Sequence, residues 1–157
     1  MVQPLLSPAP RGLPAGAPEC AGNYSLEEIL AAIRGVETGG EQHGGRFALG
    51  DGGLALGPFQ IQRSHWIDAG LPGRYEDCRD PAYARREVLA YWERWCPQAL
   101  ARNDAEVLAR VHNGGPRGAA KDSTLAYWDR TRTRLAATRV ERGVSAAPVF
   151  VRAKRVL

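Results

Sequence analysis

Cysteine is scarce in this 157-residue chain, and the three present, Cys20, Cys78 and Cys96, cannot all pair with one another. Cys78 and Cys96 bracket a predicted helix from Pro81 to Trp95. At ~1.5 Å per residue that helix holds their α-carbons on the order of 20 Å apart, beyond the ~7 Å reach of a disulfide, so an internal bridge would have to use Cys20. The count neither requires an oxidising compartment nor rules one out. No Cys-x-x-Cys pair exists, and His43, His65 and His112 stand at no close ligand spacing, so neither a metal nor another cofactor is expected. No apolar run approaches the ~20 residues of a membrane-spanning helix, which excludes membrane insertion by that route. The glycine-rich stretch lacks the Lys-Ser/Thr ending of a phosphate loop. Arginines are dispersed without interleaved aromatics, which argues against nucleic acid as a partner.

What the chain does contain is ordinary for one soluble domain: 44% apolar and 24% charged residues. Its 21 Lys and Arg against 17 Asp and Glu leave a formal charge of +4, which suits either plain solubility or mild attraction to polyanions. A monomer is expected. Residues 1–22 read as a flexible Pro/Gly/Ala-rich leader, 23–138 as the folded domain and 139–157 as a weakly patterned tail. The leader shows no basic start followed by an apolar segment, so it does not read as a signal peptide.

Helical periodicity is strong at the start of the domain. Ser25 with Glu28 forms a capping box, Leu26, Ile29, Leu30, Ile33 and Val36 share one face, and Gly39-Gly40 supplies the exit. From Gly39 to Gly57 the glycines, with Gly-Asp-Gly-Gly at 50–53, predict a small hairpin or irregular lobe. Pro58 to Trp66 is expected to enter a short helix, and Ala69 to Asp77 to be a loop. Asp80-Pro81 opens the next helix, with Tyr83, Val88, Leu89, Trp92 and Trp95 as its buried stripe and Pro97 as its stop. Asn103 with Glu106 is read as a capping box for a helix to His112, ended by Asn113-Gly114. A last helix spans Ser123 to Ala137. The sum is a mainly helical domain with one glycine-rich insertion.

Glu37 is the leading candidate for chemistry. It falls on the apolar face of the first helix and in its last turn. Desolvation and the negative end of the helix dipole both favour the protonated carboxyl there. A carboxylic acid that keeps its proton can protonate a leaving oxygen, as glycosidic cleavage requires. Asp51, in the glycine-rich turn, is the partner candidate, although an Asp among glycines is first of all a turn residue. Glu41 and Asp68 compete with it. Glycosidases set two carboxyl groups at ~5–5.5 Å for retention or ~6.5–9.5 Å for inversion. His112-Asn113 places an imidazole and an amide at a helix exit, able to hydrogen-bond sugar groups or simply to stop a helix. Tyr127-Trp128 is either a stacking platform for a sugar or core.

Five segments, taken together, resemble the invertebrate-type (destabilase) lysozymes. They are Val36-Glu37-Thr38-Gly39-Gly40, Gly57-Pro58-Phe59-Gln60-Ile61, Trp66-Ile67-Asp68-Ala69-Gly70, His112-Asn113-Gly114-Gly115-Pro116-Arg117-Gly118 and Ser123-Thr124-Leu125-Ala126-Tyr127-Trp128. They occur in the family's order, from about Leu26 to Arg130. The resemblance implies a lysozyme-like fold, mainly α (α+β), with a helical domain and a small glycine-rich β lobe. It implies hydrolysis of the β-1,4 bond between N-acetylmuramic acid and N-acetylglucosamine, so the partner would be peptidoglycan or a chitooligosaccharide. Such a function points to a secreted or periplasmic-facing protein.

By the same resemblance Glu37 is the general acid and an aspartate of the lobe, here Asp51, is the nucleophile or charge stabiliser. Gln60, His112, Asn113 and Tyr127 would bind substrate, with Trp128 as an alternative to Tyr127. This chain departs from the family in three respects. Register from Gly57 sets Gly50 opposite the family's aspartate. Positions around Leu56, Ala69 and Ala119, where the family holds cysteine, are apolar, so stability must come from packing. Gly53 and Ala55 match serines tied to the family's isopeptidase activity, which is therefore expected to be absent. Two other readings stay open: lytic-transglycosylase-like cleavage with a single Glu, and a non-catalytic module that binds glycan or an inhibitor.

Overall fold

The computed structural model describes residues 24–39 and 45–141, without the Asp51 side chain. The leader, Cys20, Glu41, His43 and the tail beyond 141 lie outside the described residues. Helix α1 (Leu26–Thr38) starts at the expected capping box. The Ser25 hydroxyl accepts from the Glu28 N–H at 3.3 Å, and Glu28 Oε2 accepts from the Ser25 N–H at 2.8 Å. Ile29, Leu30, Ala32 and Ile33 are buried, each large side chain contributing about 1.5–3 kcal/mol of apolar transfer. Gly39 caps the helix in the left-handed region, so Glu37 is held in its last turn.

The glycine-rich segment forms a lobe of three antiparallel two-residue strands in the order β1 (Leu49–Gly50), β2 (Ala55–Leu56) and β3 (Ile61–Gln62). Leu49 faces Leu56, and Leu56 faces Ile61. Between β2 and β3 the chain presses on a 3-10 turn at Tyr75–Arg79. At Gly57 (φ 72) a Cβ would lie 2.0 Å from the Cys78 carbonyl oxygen, which restricts the position to glycine. The Tyr75 hydroxyl is 2.8 Å from the carbonyls of both Leu54 and Ile61, so it fastens this turn to the lobe by donating to one of them.

Several local expectations change. Pro58 to Gln60 is a turn, because Gln60 takes φ 48, and α2 (Arg63–Ala69) begins only after β3. The stretch expected as a loop from Ala69 to Asp77 contains the end of α2 and most of the 3-10 turn. Helix α3 (Pro81–Trp95) starts as expected, with the Asp80 carboxylate accepting from the Ala82 and Tyr83 N–H groups at 3.0 Å each. Its buried face is Tyr83, Ala84, Glu87, Val88, Tyr91 and Trp92, while Trp95 is exposed, with Arg94 stacked on its ring. Pro97 ends α3 but also opens α4 (Pro97–Ala101), since its missing N–H costs nothing in a first turn. The cap of α5 (Ala105–Gly114) is Asp104, which accepts from the Val107 N–H at 3.2 Å. Asn103, at φ 51, is the linker before it. Helix α6 (Leu125–Glu141) follows a 3-10 turn at Asp122–Thr124 and runs past the expected end at Ala137.

Helices α1, α5 and α6 pack on one another, and α3 joins α2, α4 and α5. Ile33, Val88, Trp92, Leu108 and Leu135 lie within one core. The architecture is the expected one, mainly helical with a small β lobe. Cys78 and Cys96 are buried free thiols, which burial pushes up to about 12 and about 11. Among the described residues no helix is long and apolar enough to cross a membrane.

Candidate active site

The last turn of α1, the β lobe, the start of α2 and the end of α5 meet around a cleft of about 300 Å³. Its walls carry Glu37, Gly50, Gln60, His65, His112 and Asn113, with Ala55 and Gln62 completing them. Of the residues singled out from the sequence, Glu37, Gln60, His112 and Asn113 are thus brought to one place from three separate segments. Among the described residues Glu37 is the one carboxylate lining the cleft, and its side chain is 18% exposed.

Two groups hold the same oxygen of Glu37. The Tyr127 hydroxyl donates to Oε1 at 2.6 Å, and His112 Nε2 lies 3.5 Å from it. His112 Nε2 is also 3.0 Å from the Phe59 carbonyl oxygen, which can only accept, so this nitrogen carries a proton. Both partners engage Oε1 and not Oε2. Burial first, and then the Glu37 charge, raise the Tyr127 phenol well above its usual range, so it stays a donor.

Tyr127 itself is 3% exposed and stands behind Glu37, not in the cleft wall. The expectation that it binds sugar is therefore corrected: its ring belongs to the core and its hydroxyl to Glu37. Trp128 is half-buried against the same core. Gln60 is anchored by its own amide, which donates to the Gly57 carbonyl at 2.8 Å. A Cβ at Gly50 would come within 2.1 Å of Gln60 Oε1, so glycine there lets β1 approach this side chain and keeps the cleft open. Asp51 opens a 3-10 turn immediately after β1, next to the cleft wall at Gly50. Asp68 on α2 is outside the cleft lining, and its backbone carbonyl accepts from Arg94 at 2.8 Å.

Sequence reasoning missed a buried pair. Glu87 of α3 is fully buried and its Oε1 lies 2.8 Å from His65 Nδ1. Burial pushes the Glu87 carboxyl up to about 8, while His112 draws it down to a lesser extent. Burial, followed by the neighbouring His112, keeps His65 well below the ordinary imidazole range. The signal was present: Glu87 interrupts an otherwise apolar face at the four-residue spacing of Tyr83, Glu87 and Tyr91.

No family model matches the chain. Individual relatives do. It is 38% identical over 112 residues to a lysozyme of Meretrix lusoria, covering 70% of this chain and 90% of that protein. It is likewise 38% identical over 106 residues to an invertebrate-type lysozyme of Ruditapes philippinarum, covering 66% and 76%. The crystal structure of Tapes japonica lysozyme superposes with a TM-score of 0.57 at 32% identity, over 68% of this chain and 87% of that one. Similarity of this extent in both sequence and fold makes the chain a member of the invertebrate-type lysozyme family and a glycoside hydrolase.

Proposed function

We propose that Glu37 is the general acid with which this lysozyme cleaves the β-1,4 bond between N-acetylmuramic acid and N-acetylglucosamine in peptidoglycan, with Asp51 as the second carboxylate. The observation that carries the assignment is the fixed Glu37 carboxyl at the cleft, with Oε1 gripped by Tyr127 and His112. In a retaining reaction Glu37 gives its proton to the glycosidic oxygen as the bond to the leaving sugar breaks. Asp51 attacks or stabilises the sugar cation from the opposite face. Water then completes hydrolysis, with the Glu37 carboxylate as base. The exposed Asn113 amide and the anchored Gln60 amide are placed to meet sugar hydroxyl or N-acetyl groups. Degradation of bacterial walls, with an antimicrobial consequence, follows from this reading. Isopeptidase activity does not, since Gly53 and Ala55 offer no nucleophile.

Clearing of a peptidoglycan suspension by the parent, Glu37→Gln and Asp51→Asn tests it. Loss of the acid is expected to slow clearing by about 10²–10⁴-fold. Equal clearing by Glu37→Gln and the parent overturns the assignment of Glu37. Mass spectrometry of the products should show hydrated reducing ends. An indifferent Asp51→Asn together with anhydro-sugar products would instead establish cleavage with a single carboxyl.

A further inference from the structure

Trp95 stands apart from the groups around Glu37, yet the fold leaves it at the surface and fixes it there. Of the four tryptophans, Trp92 is fully buried and Trp66 and Trp128 are half-buried against the core. Trp95, the last residue of α3, is 38% exposed. The Cys96 N–H donates to the Trp92 carbonyl at 2.8 Å and α4 starts at Pro97, so the indole is carried by a junction of two helices. The Arg94 guanidinium lies over the ring, 5.0 Å from its centroid, in cation–π contact. Arg94 Nη1 also donates to the Asp68 carbonyl at 2.8 Å, which ties the cation to α2.

A row of aromatic rings joins Trp95 to the cleft. Tyr91, one helical turn earlier, is 6.5 Å from Trp95 between centroids and stacks on the cleft-wall residue His65 at 3.6 Å. The Trp95 ring therefore lies within about 10 Å of the His65 ring. The exit of α5 reaches the same place. At Gly115, two residues beyond the cleft residue Asn113, a Cβ would be 3.9 Å from the Tyr91 hydroxyl oxygen. Tyr91 is buried, and Trp95 is the ring of this row that reaches the surface.

We propose that Trp95 and Arg94 form a second glycan-binding surface that continues the cleft past His65 and Asn113, and that its occupant is the part of a peptidoglycan strand running beyond the cleaved bond. The inference rests on the peptidoglycan reading above. A pyranose ring offers a face of C–H groups that packs on an indole while its hydroxyls stay in water, and an aromatic side chain gives that contact with few rotamers to lose. Peptidoglycan also differs from a plain chitin strand in bearing peptides with free carboxylates. Arg94 supplies a fixed cation whose fork has N–H groups beyond the one used on Asp68. An indole with an adjoining guanidinium thus matches a strand that is apolar on its sugar faces and anionic on its branches. Contacts so far from the reacting bond hold substrate and transition state alike, so they act on KM and not on kcat.

The test compares the parent, Trp95→Ala, Trp95→Tyr and Arg94→Gln in steady-state cleavage of long soluble peptidoglycan strands and of short chitooligosaccharides. The same substitutions in a Glu37→Gln background are scored for retention on insoluble peptidoglycan, which reads binding without turnover. Trp95→Ala should raise KM on long strands by about threefold to tenfold with kcat little changed, and should weaken retention to match. Trp95→Tyr keeps an aromatic face and should recover most of the loss. Arg94→Gln should cost about threefold on peptide-bearing strands and nothing on long chitooligosaccharides. Short oligomers confined to the cleft should be cleaved by every variant at the parent's rate, which also shows that the variants fold. Unchanged KM and retention in Trp95→Ala overturn the inference. So does an equal loss on long and short substrates, which would put Trp95 in the service of the fold. A parent that leaves the strands uncut, while Trp95→Ala still weakens retention, overturns the assignment of cleavage and leaves the surface standing.

Discussion

The Tyr127 hydroxyl joins the core of this lysozyme to its cleft. Tyr127 has its ring packed among the helices and its O–H on Glu37 at 2.6 Å, a short bond of the charge-assisted kind when the carboxyl is ionised. Replacing it by phenylalanine keeps the packing and removes only the oxygen. Tyr127→Phe should therefore lower kcat by about tenfold with little change in KM, because Glu37 loses the group that orients it while the substrate contacts remain. Steady-state kinetics on peptidoglycan fragments would reveal this, and an unchanged kcat would show that His112 alone holds Glu37. Glu37 was legible in the sequence because helix periodicity and a glycine exit locate a last-turn residue. The identity of its partner was not, since Tyr127 could equally have faced a sugar.

Helix α5 delivers His112 and Asn113 to the cleft, so the segment after it must be held in place. Arg110 does this from two residues before His112: its Nε donates to Thr124 Oγ1 at 2.9 Å, Nη2 to the Lys121 carbonyl at 3.0 Å, and Nη1 to Glu106 at 2.8 Å. The Thr124 hydroxyl is in turn 2.8 Å from the carbonyls of Gly118 and Lys121. Thr124→Val keeps nearly the same volume but strands these buried groups, so a loss of about 1–3 kcal/mol is expected. The urea midpoint should fall with the slope unchanged. None of this was visible in the Ser123–Trp128 segment, where the sequence offered a helix start, a family resemblance and a choice between sugar platform and core for Tyr127-Trp128. Pro97 and Asn103 were misread for a related reason. Proline both stops one helix and begins another, and adjacent Asn103 and Asp104 are both good caps, so packing decides between them.

For the molecule as a whole, stability depends on a core that hides a titratable pair. Glu87 ionises near its ordinary value of about 4.5 in the unfolded chain but only near about 8 in the fold. The folded state therefore binds more protons between those values, and the contribution of Glu87 to stability falls as pH rises through that window. His65 acts in the opposite sense. It is neutral in the fold, while the unfolded chain takes up a proton below about 6.5, so its contribution rises toward that pH. The two effects oppose each other up to about pH 6.5, and from there to about pH 8 Glu87 acts alone. The parent should lose about 2 kcal/mol across that upper window, seen as a falling Tm, and Glu87→Gln should show no such fall. A parallel decline in both proteins would mean that another group is responsible.

Reading the chain was enough to locate α1, α3 and the glycine-rich lobe, and to place Glu37 at the end of a helix, because caps, turns and apolar periodicity act between near neighbours. The family resemblance singled out Gln60 and His112-Asn113, and the fold brings them to the cleft wall. Folding settled the rest: Tyr127 behind Glu37 from 90 residues away, Glu87 against His65 from 22, and α2 beginning after a third strand. Desolvation and hydrogen bonding depend on which distant side chains come to share one small volume, and that information is not carried by the local pattern of any segment.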